Sequence, residues 1–187
     1  MGCASFMSSN GDGHFNIGER VVYPNHGVGI VEQIGSRNLG QQVEKYYLLN
    51  IKSSNLKVTV PFHSVGTVGL RRVVRNGEIQ KILEYLSDGH GNGDGAADWK
   101  ARFQENSDRM RTGSLLEVAA VLKSLLVLRE SKSLSFREKK MLERARYLLV
   151  SELALARNCE EANIEEVLSK ALSKTNLRFP EAGEFEA

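Results

Sequence analysis

The sequence predicts an α+β protein in which a β-rich N-terminal part is followed by a compact all-α helical domain. Short apolar runs separated by turn residues fill residues 15–76, a pattern typical of closely connected strands. From Gly77 onward, apolar residues recur at three- and four-residue spacing, which indicates amphipathic helices. With 187 residues, the chain is long enough for one large domain or two small ones.

The N-terminal strands are short and joined by short connections. The predicted strands cover residues 21–23, 28–34, 43–51, 56–61 and 68–74. Pro24 and Gly27 suit a tight turn between the first two strands, with His26 as a turn residue. Apolar and polar residues alternate over 56–61, which predicts a strand with one face in water. Five such strands in about 60 residues are typical of a small SH3-like or Tudor-like barrel.

The helical part carries clear start signals. Helices are expected to begin near Gly77, Asp98, Ser114, Ser135 and Glu160. Ser114 and Ser135 are each followed three residues later by Glu, which is the capping-box pattern. In the helix after Ser135, apolar residues form one stripe and leave Arg137, Lys140 and Arg144 on another face.

Glycine-rich residues 88–97 interrupt the helical pattern and suggest a flexible tether between domains. Acidic and amide residues there fall at EF-hand-like spacing, but the twelfth position is Trp99 where calcium needs a bidentate Glu. A linker is therefore predicted rather than a calcium site. The expected division is a disordered leader 1–14, a sheet domain 15–76, a helix and Gly-rich linker 77–97, a helical domain 98–174 and a disordered tail 175–187.

Motifs for catalysis, metal binding and membrane insertion are missing from the sequence. Cys3 and Cys159 lie far apart and neither belongs to a CxxC pair, so no disulfide framework or zinc site is predicted. The four histidines stand in predicted loops or turns, without a nucleophile elbow or a phosphate-binding loop. No apolar run approaches the roughly 20 residues of a membrane span. We expect a cytoplasmic protein that is not an enzyme and uses no metal or cofactor.

Charge is distributed unevenly along the chain. The net charge is +2, but residues 99–157 alone carry +6 and residues 15–80 carry +4, while the flanking segments are acidic. A basic central block is compatible with nucleic-acid binding, although solvated helix faces also produce such counts.

Trp99, the single tryptophan, lies at the first turn of a predicted helix and admits two interpretations. It either packs against neighbouring helices or is an exposed apolar wedge that enters a minor groove or an unstacked base step. Cations that could hold phosphates nearby are Lys100, Arg102, Arg109, Arg111, Lys139, Lys140 and Arg144.

Several motifs together resemble one family. They are GERVVYPNHGVGIVEQI at 18–34, YLLN at 47–50, VTVP at 58–61, VGLR at 68–71, DWKAR at 98–102 and LSFREKKMLERARYLLVSELALA at 134–156. The chain resembles the CarD/CdnL family of bacterial RNA polymerase-binding proteins over roughly residues 15–174. The sheet domain alone is also similar to the polymerase-interacting module of transcription-repair coupling factor, and the helical half with Trp99 separates the two.

The resemblance implies a two-part regulator of transcription. Its sheet domain is expected to bind the RNA polymerase β subunit, partly by strand addition, through a surface that includes Arg37, Val58, Thr59 and Pro61. Arg37 matches a family arginine, whereas Thr59 departs from relatives that carry arginine there. The family's tryptophan enters the minor groove at the upstream fork of the bubble and prolongs the open complex. Trp99 occupies that position.

The implied DNA contacts are not specific for base sequence. They are Trp99, Lys100, Arg102, Arg109, Lys139, Lys140 and Arg144. Ala101 and Gln104 replace residues that are basic in some relatives, which places more weight on Lys100, Arg102, Lys139 and Lys140. The expected partners of a monomer are thus the polymerase β subunit and promoter DNA. The alternative is a protein-binding adaptor of RNA polymerase whose helical domain does not touch DNA.

Overall fold

The computed structural model describes residues 14–39, 42–89 and 98–180. Five strands form one antiparallel sheet, and six helices account for most of the remainder. The strands are β1 (Arg20–Tyr23), β2 (Gly27–Leu39), β3 (Gln42–Ile51), β4 (Leu56–Pro61) and β5 (Arg71–Arg72). The helices are α1 (Val65–Val68), α2 (Asn76–Ser87), α3 (Trp99–Arg111), α4 (Leu115–Ser131), α5 (Phe136–Arg157) and α6 (Glu161–Ser173), with a 3₁₀ turn at Phe62–Ser64. The α+β class is confirmed.

The five expected strands form one sheet in the order β4-β3-β2-β1-β5, which does not close into a barrel. Of the predicted fifth strand, residues 68–74, only Arg71–Arg72 form a strand, β5, and Val68 is the last residue of α1. Gly69, with φ of +75°, ends α1 and redirects the chain. β5 pairs with β1 through two residues and forms one edge of the sheet. β4 forms the opposite edge.

The sheet packs its inner face around one buried tyrosine. Tyr47 is 1% exposed, stacks on Phe62 at 4.3 Å between ring centroids, and accepts a hydrogen bond from the Phe15 amide at 3.1 Å. The buried apolar residues around it are Phe15, Val21, Val31, Leu49, Ile51, Val60 and Leu70. The paired hydroxyl lets a polar aromatic residue stand at the centre of this core.

Helix α2 belongs to the helical core, which corrects the expectation that it is part of a linker. Ile79, Ile82 and Leu86 are at most 1% exposed and lie in the same cluster as residues of α4, α5 and α6. Lys123 of α4, only 2% exposed, donates from Nζ to the backbone carbonyls of Tyr85 and Asp88 at the C-terminal end of α2. The Gly-rich segment therefore connects two helices of one domain and does not tether the two domains.

The expected disordered tail is ordered in its first part. Leu177 is buried, Phe179 packs on the helical core, and the Arg146 guanidinium lies 4.7 Å from the Phe179 ring centroid. Arg146 also donates to the Pro180 carbonyl at 3.3 Å. Residues 1–13, 90–97 and 181–187 lie outside the described chain, so the leader, most of the Gly-rich segment and the end of the tail remain predictions.

A partly buried ion pair, here called the clamp, joins the sheet to the helices. Arg71 of β5 donates to both carboxylate oxygens of Glu152 of α5, at 2.5 and 2.9 Å, and also to the Gly113 carbonyl. Glu152 is 2% exposed and accepts a third hydrogen bond from the Val74 amide at 3.1 Å. Residues 73–75 alone separate β5 from α2, so the two domains are closely coupled.

The predicted turn after β1 makes the second contact between the domains. Gly27 has φ of +94°, and a Cβ there would lie 3.4 Å from the Leu148 side chain of α5. Arg144 of α5 donates to the Asn25 carbonyl from Nε at 3.0 Å and from Nη2 at 2.5 Å. The turn is confirmed, and the positive φ favours glycine there, while a Cβ would make only ordinary van der Waals contact with α5.

Candidate nucleic-acid interface

Helix α3 presents Trp99 at its first position. Asp98 caps the helix by accepting a hydrogen bond from the Lys100 amide at 3.2 Å. The Trp99 side chain is 48% exposed, and the Lys100 ammonium lies 5.9 Å from its ring centroid. An indole exposed to this extent beside a cation has the chemistry to stack on a base or enter a groove.

A buried ion pair holds the first turn of α3 against the first turn of α5. Arg102 is 6% exposed and donates to Glu138 Oε1 at 3.1 Å. Glu138 Oε2 accepts from the Ser135 amide at 2.9 Å and from its hydroxyl at 2.7 Å, which completes the predicted capping box. Burial alone would raise the pKa of Glu138, but the hydrogen bonds from Ser135 and Arg102 outweigh it and hold that pKa below its ordinary value.

A basic groove of about 260 Å³ lies between α3, α5 and the turn after β1. Its cations are Arg111, Arg137, Lys140 and Arg144, and its floor includes Phe103, Met110 and Met141. We call this feature the basic groove. Helical spacing brings Arg137, Lys140 and Arg144 to one side of α5, as the sequence predicted.

The ion pairs at the rim of the basic groove are exposed and therefore weak. Arg111 lies 3.7 Å from Asp108, and Lys140 lies 3.0 Å from Glu143, with all four side chains at least 42% exposed. Exposed pairs of this kind contribute about 0–1 kcal/mol. Arg137 makes no ion pair with any residue in the described ranges. A phosphate can thus replace the existing partners at small cost.

The structure separates the predicted DNA-contacting residues into two groups. Trp99, Lys100 and Lys140 are exposed to solvent, and Lys139 is half-buried. Arg102 is not on the surface, because its guanidinium is buried against Glu138. Arg109 is paired with Glu105 at 2.7 Å and approaches Glu117 of α4, away from the basic groove. Arg144 lines the basic groove but donates to the turn carbonyl of Asn25.

Two residues of this surface were missing from the predicted set. Arg137 belongs to the basic groove, and Phe136, at the first position of α5, is 74% exposed. The sequence pattern already placed Arg137 on one helix face with Lys140 and Arg144, but Arg137 was not counted among the DNA contacts. Phe136 carried no such signal, because the sequence does not show whether an aromatic residue at the first position of a helix is buried or exposed.

The predicted polymerase-binding residues lie on and near the open edge of the sheet. Val58, Thr59 and Pro61 belong to the edge strand β4, which pairs only with β3 within the described chain. Thr59 is exposed, while Val58 is half-buried. An edge strand offers unpaired backbone groups to a partner strand.

Arg37 lies near the Pro61 end of this edge. It faces Glu44 across β2 and β3 and forms an ion pair with it at 2.5 Å. His63, which follows β4, lies 3.3 Å from the other Glu44 oxygen. Arg37 is half-exposed, so it remains accessible to a partner docked on β4.

Other chemistries find little support in the described residues. In residues 14–39, 42–89 and 98–180, no three His, Cys, Asp or Glu side chains converge in a way that suits a metal ion. Over the same ranges, no helix combines the length and low charge needed to cross a membrane.

Comparison with known proteins agrees with the two-part division. Residues 15–74 match the family described as CarD-like/TRCF RID domain, and residues 81–169 match the family described as CarD, C-terminal domain. A Bacillus subtilis (strain 168) protein named "Putative transcription factor YdeB" is 32% identical over 151 residues, which cover 81% of this chain and 97% of that protein. The match over residues 81–169 shows that the resemblance extends beyond the sheet domain, which coupling factors share. The chain therefore belongs to the CarD/CdnL family of transcription factors.

Proposed function

We propose that the protein binds the RNA polymerase β subunit through its sheet domain and stabilises the promoter open complex by contacting DNA at the upstream fork of the bubble. Its place of action is the cytoplasm, where polymerase and the nucleoid meet. It contributes no base-specific readout, because polymerase and sigma factor already select the promoter. The single observation that supports this proposal most strongly is the half-exposed Trp99 at the start of α3, the helix that supplies Phe103, Met110 and Arg111 to the basic groove.

The chemistry of Trp99 and of the basic groove supports the proposed DNA contact. Arg111, Arg137 and Lys140 supply phosphate-binding charge, and their contribution falls as salt rises. Trp99 supplies an apolar face, and its contact with a groove floor or an unstacked base would stabilise the complex. Together they favour binding where duplex and melted strands meet, independent of sequence.

The polymerase contact follows from the edge strand. β4 presents a row of backbone groups with the exposed Thr59 at its middle, and Arg37 lies near one end. An extended segment of the β subunit is proposed to add to this edge as a further strand. Thr59 supplies less charge than the arginine of some relatives, so this interface depends more on backbone hydrogen bonds and on Arg37.

The experiment is the lifetime of a competitor-challenged open complex formed by cognate RNA polymerase. It compares polymerase alone, polymerase with the intact protein, and polymerase with Trp99→Ala. Leu116→Ala is the matched control, because Leu116 is an exposed apolar residue on α4, 38% accessible, outside the basic groove. A tenfold longer lifetime corresponds to about 1.4 kcal/mol of added stability.

We expect the intact protein and Leu116→Ala to lengthen the lifetime and Trp99→Ala to lose most of the effect. If the intact protein has no effect on the lifetime, open-complex stabilisation is refuted. If Trp99→Ala lengthens it as well as the intact protein does, the adaptor function without DNA contact is favoured. Binding of each variant to the isolated β subunit, measured in parallel, should be unchanged, because Trp99 and Leu116 lie outside the sheet domain.

A further inference from the structure

Phe136 is the most exposed large apolar side chain in the described chain, at 74%. A single exposed apolar residue is ordinary on a protein surface. Within residues 14–39, 42–89 and 98–180, however, Trp99 and Phe136 are the two exposed side chains among all Phe, Tyr and Trp residues. Both occupy the first position of a helix.

The buried Arg102–Glu138 pair holds these two helix starts together. Arg102 lies three residues after Trp99, and Glu138 lies two residues after Phe136. Glu138 uses one carboxylate oxygen for Arg102 and the other for the Ser135 cap. One carboxylate therefore fixes both first turns, and with them the positions from which the two aromatic side chains project.

The two aromatic residues also share their electrostatic surroundings. The Lys140 ammonium lies 5.8 Å from the Phe136 ring centroid, much as Lys100 lies 5.9 Å from that of Trp99. Arg137, which follows Phe136 directly, lines the basic groove with Lys140. An exposed aromatic face with cations on its flank matches a nucleotide, whose base stacks while its phosphate pairs with the cation. The same charges disfavour a basic protein segment.

We propose that Phe136 is a second stacking residue, which receives an unpaired base of the melted DNA strand next to Trp99. This inference rests on the proposed function, since it places a second contact in the same interface. Two stacking positions on a rigid frame allow the protein to hold an opened base step rather than merely enter a duplex groove. A base stacked on Phe136 would leave its phosphate within reach of Arg137 and Lys140.

The test uses the full chain without polymerase and a fork-junction DNA that carries 2-aminopurine at its first unpaired positions. Quenching of the probe reports stacking, and the protein is titrated to about 0.1 mM, the weak end of non-specific DNA binding. Phe136→Ala is compared with the intact protein. Phe136→Leu keeps an apolar side chain without an aromatic face, and Leu116→Ala is the control. Because Phe136 is exposed, the melting temperatures of these variants should match that of the intact protein.

We expect the intact protein and Leu116→Ala to quench the probe, and both Phe136 variants to bind the fork about fivefold more weakly or worse, the lower end of base-stacking effects. Equal quenching by Phe136→Ala or Phe136→Leu, or no binding of the fork by the intact protein, overturns the assignment. The open-complex lifetime separates the two hypotheses. A lengthened lifetime with equal quenching refutes only Phe136 stacking, while Phe136-dependent quenching without a lengthened lifetime refutes only the proposed function.

Discussion

Replacing Glu152 by Gln should destabilise the protein strongly, because this change breaks the clamp without creating a cavity. Glu152 is 2% exposed and accepts two hydrogen bonds from Arg71 and one from the Val74 amide. The carboxamide of Gln carries no charge. Its NH2 group would face one of the N–H groups that the Glu152 carboxylate accepts from, so that hydrogen bond would be lost. Removing one partner of a buried ion pair costs about 3–5 kcal/mol. Arg71 still reaches the Gly113 carbonyl and is 27% exposed, so we expect the lower limit, about 3 kcal/mol.

The assay is urea-induced unfolding at pH 7, with Glu165→Gln as the matched control. Glu165 also accepts two hydrogen bonds from an arginine, Arg146, but their side chains are 40% and 32% exposed. An exposed pair contributes about 0–1 kcal/mol, so the control should remain close to the intact protein. For a chain of this size, a loss of about 3 kcal/mol corresponds to a melting temperature roughly 6–12 °C below that of the intact protein, which a parallel thermal unfolding experiment would measure.

A double variant tests the physical reason. Arg71→Met combined with Glu152→Leu removes both charges, so it should be more stable than Glu152→Gln alone, although the Val74 amide stays without its acceptor. Equal losses for Glu152→Gln and Glu165→Gln would refute the reasoning, because burial would then not decide the strength of the clamp.

Two further predictions concern the α3–α5 contact and the loop between α3 and α4. Glu138→Gln should cost about 3 kcal/mol at pH 7; because the folded pKa of Glu138 lies below its ordinary value, that stability is present above about pH 4.3 and is lost on acidification, so urea midpoints of variant and intact protein should draw closer as pH falls below that value. A gap that stays constant with pH would contradict this. Gly113→Ala should cost about 1–3 kcal/mol, because φ is +80° and a Cβ would lie 3.1 Å from Pro24. Gly77→Ala, whose Cβ would meet no atom within 4 Å, should be neutral or stabilising by the same measurement.

The local features of the fold could be predicted from the sequence, because their causes are local. The turn at residues 24–27, the strand at 56–61 and the capping box at Ser135 depend on the residues within them, and all three are confirmed. The role of α2 was not accessible in this way. Its apolar spacing is the same for a helix in a linker and for one in a core, and only packing against α4 and α6 decides between them.

The candidate site could be predicted in outline but not residue by residue. Trp99 was singled out as the lone tryptophan beside cations at a helix start, but its two interpretations were separated only by the family resemblance. The sequence does not show which cations face solvent. Arg102 and Lys100 are similar in sequence context, yet Arg102 turns inward because Glu138, 36 residues away, offers a buried carboxylate. Partners so distant in sequence leave no periodic signal.

The clamp also determines how the two surfaces of the protein cooperate. Because only residues 73–75 separate β5 from α2, and Arg71 and Glu152 brace that junction, the separation between the β4 edge and Trp99 is set by folded structure and not by the dimensions of a flexible chain. The protein is therefore a rigid spacer. Once one surface is bound, little further ordering entropy is lost when the second binds, so two weak contacts suffice. In the proposed function, a rigid spacer would also hold the DNA-contacting residues at a single distance from the polymerase surface, and so confine the factor to one position along the promoter.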